Sequence, residues 1–286
     1  MAVKILAPAK INLVLRIISK RPDNYHELYT IFQKVTLFDE LEIQWRDDDR
    51  IILEVSGERV PSDENNLCVR AALAYQKRSG KKFGLQLGLH KRIPVGAGLG
   101  GGSSDAAAVL LFLERSFRAL GKQILFELGK SLGADVCFFL SPYSTALGRG
   151  IGEELSPWPT HPAWYVILCP ALFISTSWAY QNLRLTTPAE PPNYEPGQPL
   201  WEQGLVNDFE ALIFEFYPAL KELKEELLGH GARAALLSGS GASLFGVFEE
   251  KVAAQKALEF FRKKGQKAFL VTNYIPEEGG KCLSTT

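Results

Sequence analysis

The sequence lacks an excess of charge of one sign and a long apolar run. Its 32 Lys and Arg residues balance 32 Asp and Glu residues, so the formal net charge is zero. A neutral chain gives no reason to expect a nucleic-acid groove or a membrane-binding face, and any anion site must be local. No run approaches the ~20 apolar residues of a membrane span, and the N-terminus is unlike a signal peptide. We therefore expect a soluble, cytoplasmic protein that binds neither nucleic acid nor membrane.

Clustered cysteines and histidines are also missing. None of the four cysteines forms a C-x-x-C pair, so buried, reduced thiols are the favoured interpretation. The four histidines lie far apart, and no metal-ligating residue is assigned. The cysteines are Cys68, Cys137, Cys169 and Cys282, and the histidines are His26, His90, His161 and His230.

Strand-like and helix-like segments alternate along the chain. β-branched and aromatic runs predict strands, and apolar residues at helical spacing predict helices. Predicted strands cover residues 3–6, 11–18, 29–38, 41–45, 83–89, 164–169, 234–237, 243–248 and 268–273, and predicted helices cover 65–78, 209–228 and 252–263. The predicted fold class is α+β, with two lobes, residues 1–155 and 156–286, and a Pro-rich loop at 187–199.

The densest feature is a glycine-rich loop followed by an apolar segment. Five of the seven residues from 96 to 102 are glycine, a composition that lets backbone approach a ligand closely or adopt positive φ. A helix is predicted to begin near Ser103, and its free N–H groups would bind phosphate oxygens. Ser103 and Ser104 add hydroxyl donors. Asp105 could help to cap this helix or lie near a metal ion, and both options stay open.

Other interpretations of this loop fit less well. Gly96, Gly98 and Gly101 satisfy G-x-G-x-x-G, but residues 116–121 offer neither the acidic residue nor the strand that a dinucleotide site requires. A standard P-loop needs a Lys-Ser/Thr pair after the glycines, and none follows. A plain flexible loop would not require such a biased composition before a capped, buried helix. A triphosphate-binding loop is the favoured interpretation.

A second glycine-rich segment, LSGSGAS at residues 237–243, lies between two apolar runs. By itself it fits a hairpin turn equally well. Two such loops in one chain raise the possibility that both line one site.

Three segments together resemble the motifs of the GHMP kinase family: APAKINL at residues 7–13, PVGAGLGGGSSDAA at 94–107, and LSGSGAS. RPDNYHEL at residues 21–28 resembles a segment of those members that act on a cytidylyl polyol, as do NDFE at 207–210 and GADVCFF at 133–139, where Cys137 replaces the usual proline. The resemblance implies a two-lobed fold with mixed and antiparallel sheets and an active site between the lobes. It also implies ATP and Mg²⁺ as cofactors and a small-molecule substrate. Oligomeric state is not predicted.

The resemblance also implies roles for individual residues. The implied reaction transfers the γ-phosphoryl of ATP to the 2-hydroxyl of 4-diphosphocytidyl-2-C-methyl-D-erythritol. Asp135 would be the base and Lys10 its electrostatic partner. Implied ATP-binding residues are Asn66, Leu67, Lys91, Pro94, Val95, Gly96, Ala97, Gly98, Leu99, Gly100, Gly101, Gly102, Ser103 and Ser104. Implied substrate-binding residues are Asn12, Tyr25, His26 and Tyr180, with Trp178 as the rival of Tyr180, and the third motif contributes Gly239, Ser240 and Gly241.

Local sequence alone would assign several of these residues differently. Asp135 fits a carboxylate at a helix end, Lys10 a solvated lysine, Asn66 a helix cap and Tyr25–His26 an ordinary turn. An unpaired lysine is, however, less comfortable between apolar strand segments, and Asn12 would share its face in an extended strand. A GHMP kinase acting on mevalonate, homoserine or a sugar, and a non-catalytic nucleotide-binding module, stay open as alternatives.

Overall fold

The computed structural model describes residues 2–183 and 190–275. Two β-sheets dominate it. The first has the order β3-β4-β2-β1-β8, and β5 pairs with both β2 and β6. The second has the order β11-β7-β10-β9. First-sheet strands are β1 (Val3–Lys20), β2 (His26–Arg46), β3 (Ile51–Gly57), β4 (Gly84–Lys91), β5 (Thr145–Arg149), β6 (Glu154–Pro157) and β8 (Val206–Asn207). Second-sheet strands are β7 (Trp164–Leu168), β9 (Ala234–Leu237), β10 (Leu244–Phe248) and β11 (Ala268–Thr272).

Strand pairing is antiparallel throughout the second sheet. In the first sheet, β3 and β4 are parallel, as are β1 and β8, and the other pairs are antiparallel. The predicted α+β class with mixed and antiparallel sheets is therefore confirmed. The proposed boundary at residue 155 falls inside β6, and β8 from the second half joins the first sheet, so the division into two units stays a prediction.

Helices cover the outer face of each sheet. The first two pack against the first sheet, the third and fourth pack mainly on these two and on each other, and α7, α8 and α9 pack against the second sheet. They are α1 (Leu67–Ser79), α2 (Gly101–Phe117), α3 (Gly121–Leu132), α4 (Ala134–Leu140), α5 (Thr176–Asn182), α6 (Leu200–Gln203), α7 (Phe209–Phe216), α8 (Pro218–Gly229) and α9 (Lys251–Lys263). A third apolar core fills the space between the two sheets.

Side-chain alternation along β1 decides what faces the helices. Ala9, Ile11 and Leu13 belong to the core between the sheets. Successive strand residues point to opposite faces, so Lys10 and Asn12 lie on the face toward α2 and α4. Because apolar residues alternate with polar ones along β1, Lys10 and Asn12 lie side by side on one face of the strand.

Several predicted elements differ from those observed. The four predicted strands before residue 46 are two continuous strands of 18 and 21 residues, because bulges at Pro8/Ala9, Asn12/Val14 and Ile17/Ser19 absorb the irregular segments. The single helix predicted at 209–228 is wrong. It ends at Phe216 and restarts at Pro218, since proline lacks the N–H and its ring blocks a continuing helix. Sequence patterns missed β3, β5, β6, β8, α3, α4, α5 and α6.

Within the described residues, Cys68, Cys137 and Cys169 are buried and free, as predicted. Cys282 and residues 187–189 of the Pro-rich loop lie outside those residues, while 190–199 contain neither helix nor strand. Among the described helices, none is long and apolar enough to cross a membrane.

Candidate active site

A cleft of about 1050 Å³ is lined by residues from both halves of the chain. Its wall is built from β1, β2, the glycine loop and the first turns of α2 and α4. Residues of α5, Phe209 and the turn between β9 and β10 complete it. Both glycine motifs therefore line one cleft.

The side chain of Lys10 is held in a polar chain beneath this cleft. Lys10 is 4% exposed, and its Nζ donates to Asn12 Oδ1 at 2.7 Å. Asn12 Nδ2 in turn donates to Thr30 Oγ1 at 2.8 Å, and Thr30 donates to the carbonyl of Val14 at 2.8 Å. Each link orients the next one, so the ammonium has little rotational freedom.

Asp135 lies in the first turn of α4, with a side chain that is 33% exposed. Its Oδ2 lies 3.3 Å from Lys10 Nζ. The positive end of the helix dipole and the ammonium both attract this carboxylate. The structure thus brings together the two residues predicted to be catalytic, and it leaves the carboxylate accessible from the cleft.

The glycine loop takes backbone conformations that favour glycine. Gly96, Gly98 and Gly100 have φ of 67°, 75° and 70°. A Cβ on Gly98 would also collide with the carbonyl oxygen of Ser238. Ser238 Oγ donates to the Gly98 carbonyl at 3.1 Å. The second glycine motif is therefore both a hairpin turn and the surface against which the first one packs.

The amino end of α2 opens into the cleft. The helix begins at Gly101, two residues before the predicted start, and its N-cap Gly100 supplies no side-chain hydrogen bond. Gly101, Gly102 and Ser103 line the cleft. The first N–H groups of a helix have no partner within the helix and carry partial positive charge, so they form a site suited to phosphate oxygens.

Lys91 lies behind this loop in a buried cluster of three charges. Its Nζ pairs with Asp39, and with Asp105 Oδ2 at 2.8 Å. Asp39 Oδ1 also accepts from the backbone N–H groups of Arg92 and Ile93 at 2.6 and 2.8 Å. A Cβ on Gly101 would approach Lys91 Nζ to 2.7 Å, so the cluster supports the start of α2 from beneath.

Asp105 does not cap the helix and does not line the cleft. One of its oxygens pairs with Lys91, and the other has no partner within the described residues. Burial outweighs the nearby ammonium and raises the pKa of Asp105 to about 7. Burial opposes the charge of Lys91, but the carboxylates of Asp105 and Asp39 outweigh burial and raise its pKa.

Of the three residues predicted to lie at the adenine side, two line the cleft and one does not. Leu67 and Lys91 line the cleft. The side chain of Asn66 is committed elsewhere: its Oδ1 caps α1 by accepting from Cys68 N at 2.9 Å, and its Nδ2 donates to the Pro61 carbonyl at 2.7 Å. The structure does not bring Asn66 to the cleft surface.

Aromatic rings line the other end of the cleft. His26 stacks on Tyr180 with ring centroids 5.0 Å apart and planes inclined by 25°. Tyr180 meets the edge of Phe209 at 4.9 Å. Tyr25 also lines the cleft and is 59% exposed. Burial and, secondarily, the charge of Lys20 lower the pKa of His26, so its imidazole is neutral at pH 7 and both donates and accepts hydrogen bonds.

Trp178, the rival of Tyr180, points elsewhere. Its ring meets Phe216 at 5.1 Å and Tyr217 at 6.3 Å, both edge-on. It is absent from the cleft lining, whereas Tyr180 is part of it. Of the two aromatic residues, Tyr180 is the one positioned to contact a ligand.

The turn that carries Tyr25 and His26 is braced by ion pairs. Arg21 lies between Asp23 at 3.2 Å and Glu27 at 3.0 Å, and Asp23 accepts from the Tyr25 N–H at 3.1 Å. Glu27 also accepts from Gly150 N at 3.0 Å. These bonds tie the turn to the neighbouring loop.

Two family models match the chain: GHMP kinases N terminal domain over residues 66–142, and GHMP kinases C terminal over residues 198–267. Together they span the phosphate loop, Asp135 and the second glycine motif. The chain belongs to the GHMP kinase family.

Several proteins of known identity within the GHMP kinases are similar to this chain. A 4-diphosphocytidyl-2-C-methyl-D-erythritol kinase of Citrifermentans bemidjiense is 45% identical over 260 residues, which cover 89% of this chain and 92% of the relative. A crystal structure of a 4-(cytidine 5'-diphospho)-2C-methyl-D-erythritol kinase matches with a TM-score of 0.82 and 37% identity over 94% of this chain and 98% of that one. A homoserine kinase from Cytophaga hutchinsonii matches at a TM-score of 0.66 and 21% identity, covering 96% and 95% of the two chains, which shows the GHMP fold alone.

Sequence reasoning missed several residues of this GHMP kinase site. Thr30 orients Asn12, Ser238 supports the loop at Gly98, and Asp39 pairs with Lys91. Thr30 and Asp39 lie outside the three motifs, and Ser238 lies in the second glycine motif but was given no role. Thr176 was also missed: it lines the cleft, and its hydroxyl lies 2.9 Å from that of Ser240, which was predicted. Only the alternation along β2 could have indicated that Thr30 faces the cleft.

Proposed function

We propose that this GHMP kinase phosphorylates the 2-hydroxyl of 4-diphosphocytidyl-2-C-methyl-D-erythritol with ATP, a step of the non-mevalonate route to isoprenoid precursors. The position of the Lys10–Asp135 pair carries the proposal. Lys10 Cγ lies 3.0 Å from the point that a Cβ on Gly100 of the phosphate loop would occupy. Asp135 lies near enough to Tyr180 for its charge to add to the effect of burial in raising the pKa of the phenol. The pair thus contacts the phosphate loop on one side and reaches the aromatic end on the other.

The glycine loop and the start of α2 hold the triphosphate of ATP in this proposal. Backbone N–H groups of Gly101, Gly102 and Ser103 and the helix dipole are the binding groups. Because they are backbone groups fixed by helix geometry, they need no reorganisation during the reaction. Leu67 provides an apolar wall for the purine ring.

Asp135 accepts the proton of the substrate 2-hydroxyl. The hydroxyl oxygen then forms a bond to the γ-phosphorus while the bond from that phosphorus to the β-bridging oxygen breaks, and ADP leaves with the electron pair. Lys10 is the electrostatic partner of Asp135 and offsets the charge on the transferring phosphoryl group. Asn12 holds the Lys10 ammonium in place.

The residues of the cleft fit a Mg²⁺ ion that arrives with the nucleotide. The described residues hold no group of three or more His, Cys, Asp or Glu side chains that could bind a metal ion. Among them, Asp135 is the one carboxylate that lines the cleft. Because Asp135 is assigned to the substrate hydroxyl, the Ser103 hydroxyl and the nucleotide phosphates would hold the ion. Bound Mg²⁺ neutralises charge on the phosphate oxygens.

The aromatic end of the cleft binds the cytosine. Neutral His26 can donate to and accept from the polar edge of the base, a match that rejects bases lacking those groups. Tyr25 and Tyr180 offer ring faces for stacking. Arg21 and Glu27 keep the His26 turn in register with the cleft.

The test is an ADP-release assay with ATP, Mg²⁺ and 4-diphosphocytidyl-2-C-methyl-D-erythritol, run beside mevalonate and homoserine. We expect turnover with the cytidylyl compound alone. Turnover with mevalonate or homoserine instead would overturn the substrate assignment and leave the phosphate loop in place. Binding of ATP without turnover of any of the three alcohols would favour a non-catalytic module.

A further inference from the structure

Helix α4 is anchored at both ends by lysines from neighbouring strands. Lys10 on β1 and Lys34 on β2 are directly opposite each other in the antiparallel pair. Lys10 Nζ lies 3.3 Å from Asp135 in the first turn of α4. Lys34 Nζ donates to the carbonyl of Ser141, which caps the other end of the helix, at 2.8 Å.

Stacked rings connect the two lysines. Lys10 Nζ lies 5.5 Å from the ring centroid of Phe32, and Lys34 Nζ lies 5.0 Å from that of Phe138, itself a residue of α4. The two rings stack with centroids 4.9 Å apart and planes inclined by 23°. Cation–π attraction and ring stacking therefore add to the hydrogen bond in holding α4 against the sheet.

Lys34 is an unfavourable residue for stability alone. It is 3% exposed, and no carboxylate lies within ion-pair distance of it among the described residues. Burial without a counter-charge lowers the pKa of Lys34 to about 7. An apolar side chain of similar length would avoid the cost of burying an amine. The amine instead contacts Ser141 at the carboxyl end of α4, the helix whose first turn carries Asp135.

We propose that Lys34 is a positioning residue, which holds the carboxyl end of α4 and thereby fixes the distance between Asp135 and Lys10. This inference rests on the proposed role of Asp135 as the base. The helix has only seven residues, so a tilt at its far end moves the carboxylate as well. A charged or neutral amine at a helix carboxyl end also satisfies an otherwise free carbonyl.

The test is Lys34→Met, which keeps the length of the side chain and removes the donor. We expect kcat to fall about tenfold, since small misplacements of a reacting group are costly. The KM values for ATP and for the cytidylyl substrate should stay within about twofold, because Lys34 lies outside the cleft lining. The Tm should not fall. Lys82→Met, at an exposed position, is the matched control and should change none of these values.

A second readout does not depend on the substrate. Hydrogen exchange at the backbone amides of residues 137–141 should be faster in Lys34→Met than in the wild type. Exchange that is unchanged in Lys34→Met overturns the inference. If the wild type turns over the cytidylyl compound, an unchanged kcat in Lys34→Met overturns it as well. An equal rise in both KM values would also overturn it, because it would indicate a disturbed cleft.

Wild-type protein that binds ATP but does not turn over the cytidylyl compound would contradict the proposed function, and exchange would still decide whether Lys34 anchors α4. Lys34→Leu, which also removes the donor, replaces Lys34→Met if the latter does not fold. It must then show the same lower kcat, unchanged KM values and faster exchange.

Discussion

Replacing Asp135 by asparagine separates the chemistry of the site from its folding. Asn keeps the shape of the side chain and removes both the charge and the basicity. Asp135 Oδ2 lies 3.3 Å from Lys10 Nζ, so Lys10 loses its counter-charge and keeps Asn12 as an acceptor. A positioned general base contributes about 10²–10⁴-fold to the rate, which is about 3–5 kcal/mol of barrier.

The stability effect of the same change should be small. A third of the Asp135 side chain is exposed, so water screens its interaction with Lys10, and the loss should be about 1 kcal/mol. For a chain of this size, that lowers the Tm by about 2–4 °C. We therefore expect a kcat at least 100-fold lower in a protein that stays folded at assay temperature.

The measurement is steady-state kcat and KM by ADP release, together with thermal unfolding followed by circular dichroism. Asp49→Asn, at an exposed position outside the cleft, is the matched control for loss of one carboxylate. A kcat within a few-fold of the wild type would refute the role of Asp135 as base. Loss of kcat accompanied by loss of folded protein would show that the carboxylate is needed for structure.

Three further changes test other parts of the site. His26→Ala should raise KM for the cytidylyl substrate much more than KM for ATP in the same assay, and equal increases would move His26 out of the base pocket. Gly98→Ala should cost about 1 kcal/mol or more for positive φ and also weaken ATP binding in calorimetry, because its Cβ collides with Ser238; unchanged Tm would contradict this. The raised pKa of Asp105 means that the wild type loses stability as the pH rises from about 4 to 7. Asp105→Asn removes that loss, so its Tm minus the wild-type Tm should increase from pH 5 to pH 8, and a constant difference would disprove the titration.

Local sequence rules were sufficient where the cause is local. The helix after the glycine loop, the capping role of Asn66 and the shared face of Lys10 and Asn12 each depend on residues a few positions apart. The helical pattern over residues 209–228 predicts one helix, whereas Pro218 divides the segment into two.

Residues distant in the chain follow a different rule. The contact between Lys10 and Asp135 depends on which strand α4 packs against, and the choice of Tyr180 over Trp178 depends on which face of α5 meets the cleft. Neither contact can be predicted from the spacing of residues close together in the chain. The same holds for Ser238 beneath Gly98 and for Lys34 at the end of α4.

The sequence by itself determined the glycine loop, the family and the kinds of residue available for phosphoryl transfer, because composition and short-range spacing specify backbone conformation and chemical groups. Only the tertiary structure decided which of those groups meet. Sheet register places Lys10 opposite Lys34, and packing of α2 on the first sheet encloses Lys91 between two carboxylates. Distances of about 3 Å between residues far apart in the chain arise from the packing of whole elements, which no local pattern encodes.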